Sequence, residues 1–319
     1  MRTRLRTRPR TRPRTRIGTV IGRCRPPAVL TVVMLLCAVA ACAGSTERAT
    51  TGQQAGHSTW HEVFRDDFTG PAGSPLSAAD WRHDEGYCYP GCPAANWGTG
   101  EIGRHTDSTA NSSLDGAGHL AITPLRAPDG TWTSARIETQ RSDFAVPPGG
   151  TLRIEASIKL PEVDTVTGKG YWPAFWAMGE PIRGNGYQGW PQWGEVDVME
   201  QINGRPEVYS ALHSGVPGRN QSHQSPPFSC PTCSSGFHVY AAEIDAHEVR
   251  YYVDGVLHHR VTEDELGAQA WRDATQHGMF LILNVAMGGN WPAQLGGGPD
   301  TGTVPGRPML VDHVSVSTR

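Results

Sequence analysis

Residues 151–160 read TLRIEASIKL, with Leu152, Ile154, Ala156, Ile158 and Leu160 alternating with Arg153, Glu155, Ser157 and Lys159. A period of two over ten residues gives a strand one apolar face and one polar face, the signature of a half-buried antiparallel sheet. Working outward, GHLAIT, SARIETQ, EVDVME, FHVYAAEID, HEVRYYV, MFLILNVAM and HVSVS are also strand-like. HEVRYYV runs into Asp254-Gly255 and then VLHHRV, a hairpin signal because both turn positions tolerate positive φ. The one helical candidate is TEDELGAQAW at 262–271. With 38 glycines, 25 prolines, ten tryptophans and only 18% charged residues, the chain suits many short strands joined by turns. These patterns predict an all-β fold: an antiparallel β-sandwich of jelly-roll type in which one curved sheet forms a substrate cleft.

From Trp60 to Arg319 no linker or repeat interrupts the pattern, which predicts one domain over 60–319. Ahead of it, residues 28–41, AVLTVVMLLCAVAA, form an apolar run behind a basic stretch, the layout of an export signal and short for a membrane span. Val39-Ala40-Ala41-Cys42 resembles the bacterial lipobox, so Cys42 is the expected lipidation site; the alternative is ordinary cleavage after an Ala-x-Ala site. The expected organisation is therefore a signal at 1–41, a polar tether at 42–59, and a protein exported to the medium or anchored on the outer face of the cell membrane. Residues 1–41 hold ten arginines and no acidic residue, so the formal charge of −3 becomes −13 once those ten are set aside. So acidic a mature chain is a poor match for nucleic acid, which needs a dense basic surface. Neutral glycans fit better.

Four cysteines fall in the expected mature domain as Cys88-Tyr-Pro-Gly-Cys92 and Cys230-Pro-Thr-Cys233. Such pairs can bind zinc, but in an exported protein disulfides are the expected outcome. Three connectivities are open; local pairing, 88 with 92 and 230 with 233, is the expectation.

The chemistry concentrates in Glu195-Val196-Asp197-Val198-Met199-Glu200. Glu195 and Asp197, two residues apart, share a strand face at about 7 Å. Glu200 lies five positions from Glu195, and a regular strand would turn it toward the core with Val196. A β-bulge near Val198-Met199 adds one residue and brings it back, so that all three carboxylates share one face. Two carboxyl groups about 5 to 5.5 Å apart serve retaining glycoside cleavage, and crowding them raises at least one pKa so that an acid stays protonated. The bland alternatives are a solvated strand face or a calcium cluster. Against them stand the aromatic flanks, Trp172-Pro-Ala-Phe-Trp176 and Trp190-Pro-Gln-Trp193, because sugars stack on such rings; some are expected in the core instead.

With those residues in view, the sequence resembles glycoside hydrolase family 16, and within it the laminarinase-like endo-β-1,3-glucanases. The family pattern Glu-(hydrophobic)-Asp-(hydrophobic)-(optional hydrophobic)-Glu is met by 195–200, with the optional residue present as in laminarinases. Trp97-Gly-Thr-Gly-Glu101 is similar to WGNxE, Thr133-Ser-Ala-Arg136-Ile to TSARI, and YWPAFWAM to WPAFWM. Leu212-His213, Phe237-His238, Val253-Asp254-Gly255, Asn284-Val-Ala-Met-Gly-Gly-Asn-Trp291-Pro and Val311-Asp312 also have counterparts. The resemblance implies Glu195 as nucleophile, Asp197 as its assisting carboxylate and Glu200 as general acid/base. It implies glucan contact by Arg136, Trp172, Trp176, Trp190, His213 and Trp291; for His213 the alternative is a loop histidine facing solvent. Thr99 departs from the family's asparagine, and the two cysteine pairs lie outside the general pattern.

The expected activity is retaining endo-hydrolysis of β-1,3-glucan by an enzyme that needs no cofactor for catalysis. A structural calcium, held by backbone carbonyls and a carboxylate such as Asp312, occurs in some relatives. Alternatives are action on mixed-linkage β-1,3-1,4-glucan or galactan, transglycosylation, and a non-catalytic glycan-binding sandwich. The expected partner is the polysaccharide, with a membrane met only through the lipid anchor, and the chain is expected to be a monomer.

Overall fold

The computed structural model describes residues 59–319; the apolar run and Cys42 lie outside them. Residues 152–159 form a strand whose Leu152, Ile154, Ala156 and Ile158 are buried while Arg153, Glu155 and Lys159 are half-exposed, as the alternation predicts. The strand sits inside its sheet, between His238–Ile244 and Met309–Thr318. Outward on one side follow Glu248–Val253 and Val256–Thr262, and on the other Leu120–Ile122 and Ser112–Leu114, with His61–Asp66 also on the 309–318 strand. The 254–255 turn has φ of 49° and 75°, the double positive φ that the Asp-Gly pair suits.

A second sheet runs in the order Arg219–Gln224, Glu207–Val216, Glu195–Glu200, Tyr171–Gly179, Met279–Met287, Arg136–Thr139, Trp81–His83. The two sheets enclose the core, which joins Ile154, Ile158, Tyr240 and Val314 of the first to Tyr171, Phe175, Val196, Leu212 and Leu283 of the second. Burying each such large apolar side chain contributes about 1.5–3 kcal/mol. The other face of the second sheet carries a separate cluster of Ala174, Trp176, Met178, Tyr187, Phe280 and Ile282. That face is the floor of the site.

A small three-stranded sheet contains the one parallel pairing among the described strands, Arg104–His105 with Trp132–Ser134. The expected helical segment forms two short helices, Glu263–Leu266 and Ala268–Thr275, divided at Gly267 (φ 82°). The Glu265 carboxylate accepts the Thr262 N–H at 2.6 Å to start the first, and buried Trp271 anchors the second by donating to the Ala246 carbonyl at 2.7 Å. Two further short helices, Glu180–Gly184 and Asn290–Gln294, carry no apolar periodicity long enough to read in advance. Both cysteine pairs close locally, Cys88–Cys92 and Cys230–Cys233. No helix among the described residues is long and apolar enough to cross a membrane.

Candidate active site

The strand Glu195–Glu200 pairs with Tyr171–Gly179 so that Glu195 faces Met178 and Asp197 faces Trp176, while Met199 faces Phe175 and Glu200 faces Ala174. Val198 has no partner in that ladder. On the other edge the register likewise slips by one residue, Asp197 opposite Ala211 and Glu200 opposite Tyr209. This is the expected bulge. Val196, Val198 and Met199 join the inter-sheet core, so two consecutive side chains point inward and Glu200 returns to the outer face. Immediately before the strand, Gly194 has φ of 71°, and a Cβ there would fall on the Ala274 carbonyl oxygen.

A cavity of about 190 Å³ opens over this face, lined by Glu195, Asp197 and Glu200 and by Trp172, Trp176 and Trp190 among others. Indole N–H groups fix two of the carboxylates: Trp190 Nε1 donates to Glu195 Oε2 at 3.2 Å, and Trp172 Nε1 donates to Glu200 Oε1 at 2.8 Å. His213, on the neighbouring strand directly opposite Glu195, places Nε2 3.2 Å from Asp197 Oδ2 and 3.8 Å from Glu195 Oε1. Its Nδ1 meets the Asn220 side-chain amide at 2.8 Å. His213 is thus a strand residue turned into the carboxylate cluster, and the solvent-facing loop alternative is corrected.

Burial, then repulsion from Asp197, pushes Glu195 up to about 7, against the pull of His213 and Arg136. The same two causes hold Glu200 well above the ordinary carboxylate range, with the Trp172 hydrogen bond opposing them. For His213 burial works downward, but the contacts with Asp197 and then Glu195 outweigh it and hold the imidazolium up to about 10. Carboxylates beside one another, in a walled cleft with two cations, His213 and Arg136, keep a proton on one member while the other ionises. That is acid/base chemistry on a polar bond.

Of the six residues expected to contact glucan, Arg136, Trp172, Trp176 and Trp190 line the cavity. Arg136, however, is only 4% exposed. Its guanidinium lies over the rings of Tyr89, Trp97 and Trp176 at 4.8, 4.6 and 4.7 Å, with Nε 3.3 Å from Asp84 Oδ2. Trp176 donates Nε1 to Asn284 Oδ1 at 2.8 Å. Trp291, which is not among the residues lining the cavity, packs edge-on against Trp172 and Tyr209 at 5.7 and 5.1 Å. Thr99 lines the cavity and donates its hydroxyl to Glu101 Oε1 at 2.9 Å. Sequence reasoning did not single out Tyr89, Tyr187 or Asn284 as site residues, although all three line the cavity; the cysteines flanking Tyr89 and the motif that begins at Asn284 are the signals that pointed near them.

The described residues gather three or more metal-ligating side chains in two places: Glu195, Asp197 and His213 in this site, and Cys230, Cys233 and His238, whose cysteines are disulfide-bonded. Asp312 Oδ2 takes a hydrogen bond from His313 Nδ1 at 2.8 Å, and Glu155 lies 3.8 Å from the other side of that ring. His313 thus engages one oxygen of the carboxylate expected to contribute to a calcium site.

The sequence matches the model of Glycosyl hydrolases family 16 over residues 108–303. It is 31% identical over 271 residues to a β-glucanase of Rhodothermus marinus, covering 81% of this chain and 85% of the relative. Among solved structures it resembles the endo-1,3-β-glucanase of Streptomyces sioyaensis (47% identity, TM-score 0.75, 82% of this chain and 97% of that one). The endo-β-1,3-glucanase of Pyrococcus furiosus is similar at 31% identity and TM-score 0.64, over 81% of this chain and 94% of that one. A family match over more than half the sequence, on a jelly roll whose bulged strand sets three carboxylates in an aromatic cleft, makes this chain a glycoside hydrolase and a member of family 16.

Proposed function

We propose that the chain hydrolyses internal β-1,3 linkages of glucan with retention of anomeric configuration. The observation that carries the reading is the Val198 bulge, which sets Glu195, Asp197 and Glu200 on the cleft face among Trp172, Trp176 and Trp190. In the first step the Glu195 carboxylate attacks the anomeric carbon while Glu200, protonated, gives its proton to the departing glycosidic oxygen. The glycosidic C–O bond breaks and a glycosyl ester forms on Glu195. Glu200, now ionised, takes a proton from water as that water attacks the same carbon and releases Glu195. Glu200, buried and held well above its ordinary range, suits the acid; Glu195, beside His213 and within reach of Arg136, suits the ionised partner. Asp197, flanked by both, sustains the His213 imidazolium that faces Glu195. No cofactor enters these steps.

Digestion of laminarin with anomeric analysis of the first product tests the assignment. Glu195→Gln and Glu200→Gln each remove the activity while leaving the fold intact; full activity in either overturns it. Lichenan and agarose, run beside laminarin, read out linkage preference, and product sizes beyond the starting length reveal transglycosylation.

We further propose export with a lipid anchor at Cys42. The basic then apolar N-terminal sequence supports this, as do two disulfides, which suit an oxidising compartment. An intact mass of the cell-made protein that shows an unlipidated terminus beyond Cys42 refutes the anchor.

A further inference from the structure

The Cys88–Cys92 pair has no part in the chemistry above, yet it encloses a residue of the cavity wall. Tyr89, inside the disulfide loop, stacks on Tyr187 with ring centroids 3.6 Å apart and planes within 10°. Tyr187 comes from a different part of the chain, just beyond the helix Glu180–Gly184. Two separate loops therefore meet face to face over the sheet, with no space between the rings for a sugar.

Each ring is also pinned from behind. The Tyr89 hydroxyl accepts a hydrogen bond from Arg136, and Trp97 meets the Tyr89 ring edge-on at 5.0 Å. Tyr187 donates to Glu138 Oε1 at 2.5 Å, and Glu138 is itself fully buried and paired with Arg82 at 2.6 Å. Such a pair is held by buried charges as well as by stacking and does not swing aside at little cost.

Its place relative to the catalytic strand follows from the strand order. From Glu195–Glu200 the sheet proceeds through Tyr171–Gly179 and Met279–Met287 to Arg136–Thr139, whose Arg136 lies under Tyr89. Three inter-strand spacings amount to about 14 Å. The lining of the cavity follows the same path, from the carboxylates past Trp176 and Asn284 to Arg136 and Tyr89. Tyr89 and Tyr187 stand over the Arg136–Thr139 side of this path, held to Arg136 and Glu138.

We propose that Tyr89 and Tyr187 form a specificity-determining wall, which limits how many glucosyl rings the cleft holds on one side of the scissile bond. The Cys88–Cys92 disulfide acts as a positioning device for Tyr89. This rests on the glucanase reading above and deepens it: substrate is cut where the chain segment on the walled side is short. Cys92 is exposed, so the clamp is open to reductant.

The test uses the full chain and a ladder of laminari-oligosaccharides tagged at the reducing end, so that each cut position is read directly and the tag tells which side is walled. The wild type is expected to cut with a fixed short run on that side. In Tyr89→Ala, and in the double variant Cys88→Ser with Cys92→Ser, the dominant cut moves by at least one glucosyl position. Discrimination between short and long substrates in kcat/KM then changes by about tenfold. Tyr89→Phe, which keeps the stacked ring and loses the hydroxyl, retains the wild-type cut positions. A purely structural role for the loop lowers Tm and leaves the cut positions alone, and that result in Tyr89→Ala, or in the double variant should Tyr89→Ala not fold, overturns the wall. A wild type that yields no product from laminarin is a different failure, that of the glucanase reading.

Discussion

Replacing His213 by glutamine removes a cation from the carboxylate cluster while keeping a polar side chain beside Asp197, and the consequence can be sized from the geometry. Glu195 faces His213, Asp197, Arg136 and the Trp190 N–H, with Glu200 further along the strand. Its Oε1 lies 3.8 Å from His213 Nε2. Two unit charges at about that distance, at an effective dielectric constant of about 20, interact by about 4 kcal/mol, or about three pKa units. Water reaches the pair, whose side chains are 17% and 19% exposed, so the expected shift is about one to three units. The sign is fixed: an imidazolium favours ionised Glu195, and its loss makes Glu195 harder to ionise. Since the nucleophile must be ionised, the acid limb of kcat/KM against pH moves upward in His213→Gln, and activity falls most on the acid side of neutrality. The assay is a pH profile on laminarin for both proteins at one ionic strength. An acid limb that stays in place, or moves down, refutes the electrostatic role of His213.

Glu200→Gln is expected to lose activity and gain stability above neutral pH. Burial raises the Glu200 pKa in the folded state, so the folded protein holds its proton more tightly than the unfolded chain and stability declines as pH rises through the ordinary carboxylate value. Each kcal/mol relieved raises Tm by about 2–4 °C in a domain of this size, and a thermal melt at pH 8 showing no increase contradicts the burial argument. Gly194→Ala meets both the positive φ and the Ala274 carbonyl; it should destabilise the fold by more than about 1 kcal/mol, and a denaturant midpoint equal to that of the wild type refutes this. Deleting Val198 converts the bulge to a regular strand in which residues 195, 197 and 200 still share a face, now at even spacing. The fold survives with about 1.5–3 kcal/mol less stability from the lost buried valine. Glu200 keeps Ala174 as its partner, but activity drops about 100-fold because the local bend that aims its side chain is lost, and a deletion variant with near wild-type turnover removes the bulge from the mechanism.

The deletion also shows why one part of this molecule was legible in its sequence and another was not. Alternation at 152–160, the Asp-Gly turn and the five-residue step from Glu195 to Glu200 are local. Strand parity alone says that an odd step needs an extra residue, and Val198 supplies it. The floor of the cleft is a product of parity too, because Trp172, Ala174, Trp176 and Met178 all fall on the face opposite Phe175 and Ala177. What parity cannot see is how segments far apart in the chain meet. Arg136 lines the cavity, and its charge is enclosed by Tyr89, Trp97 and Trp176 and matched by Asp84. Tyr89, Trp97 and Asp84 come from segments with no period, and their meeting with Trp176 depends on a fold already formed. The same distinction assigns their roles. The catalytic strand encodes its chemistry in its own spacing. The walls are assembled from the Cys88–Cys92 loop and the segment after Gly184, so they can vary in shape without touching that spacing. Differences in substrate length among enzymes with this strand should therefore reside in the loops that carry Tyr89 and Tyr187, while loss of the reaction itself should trace to residues 194–200 and His213.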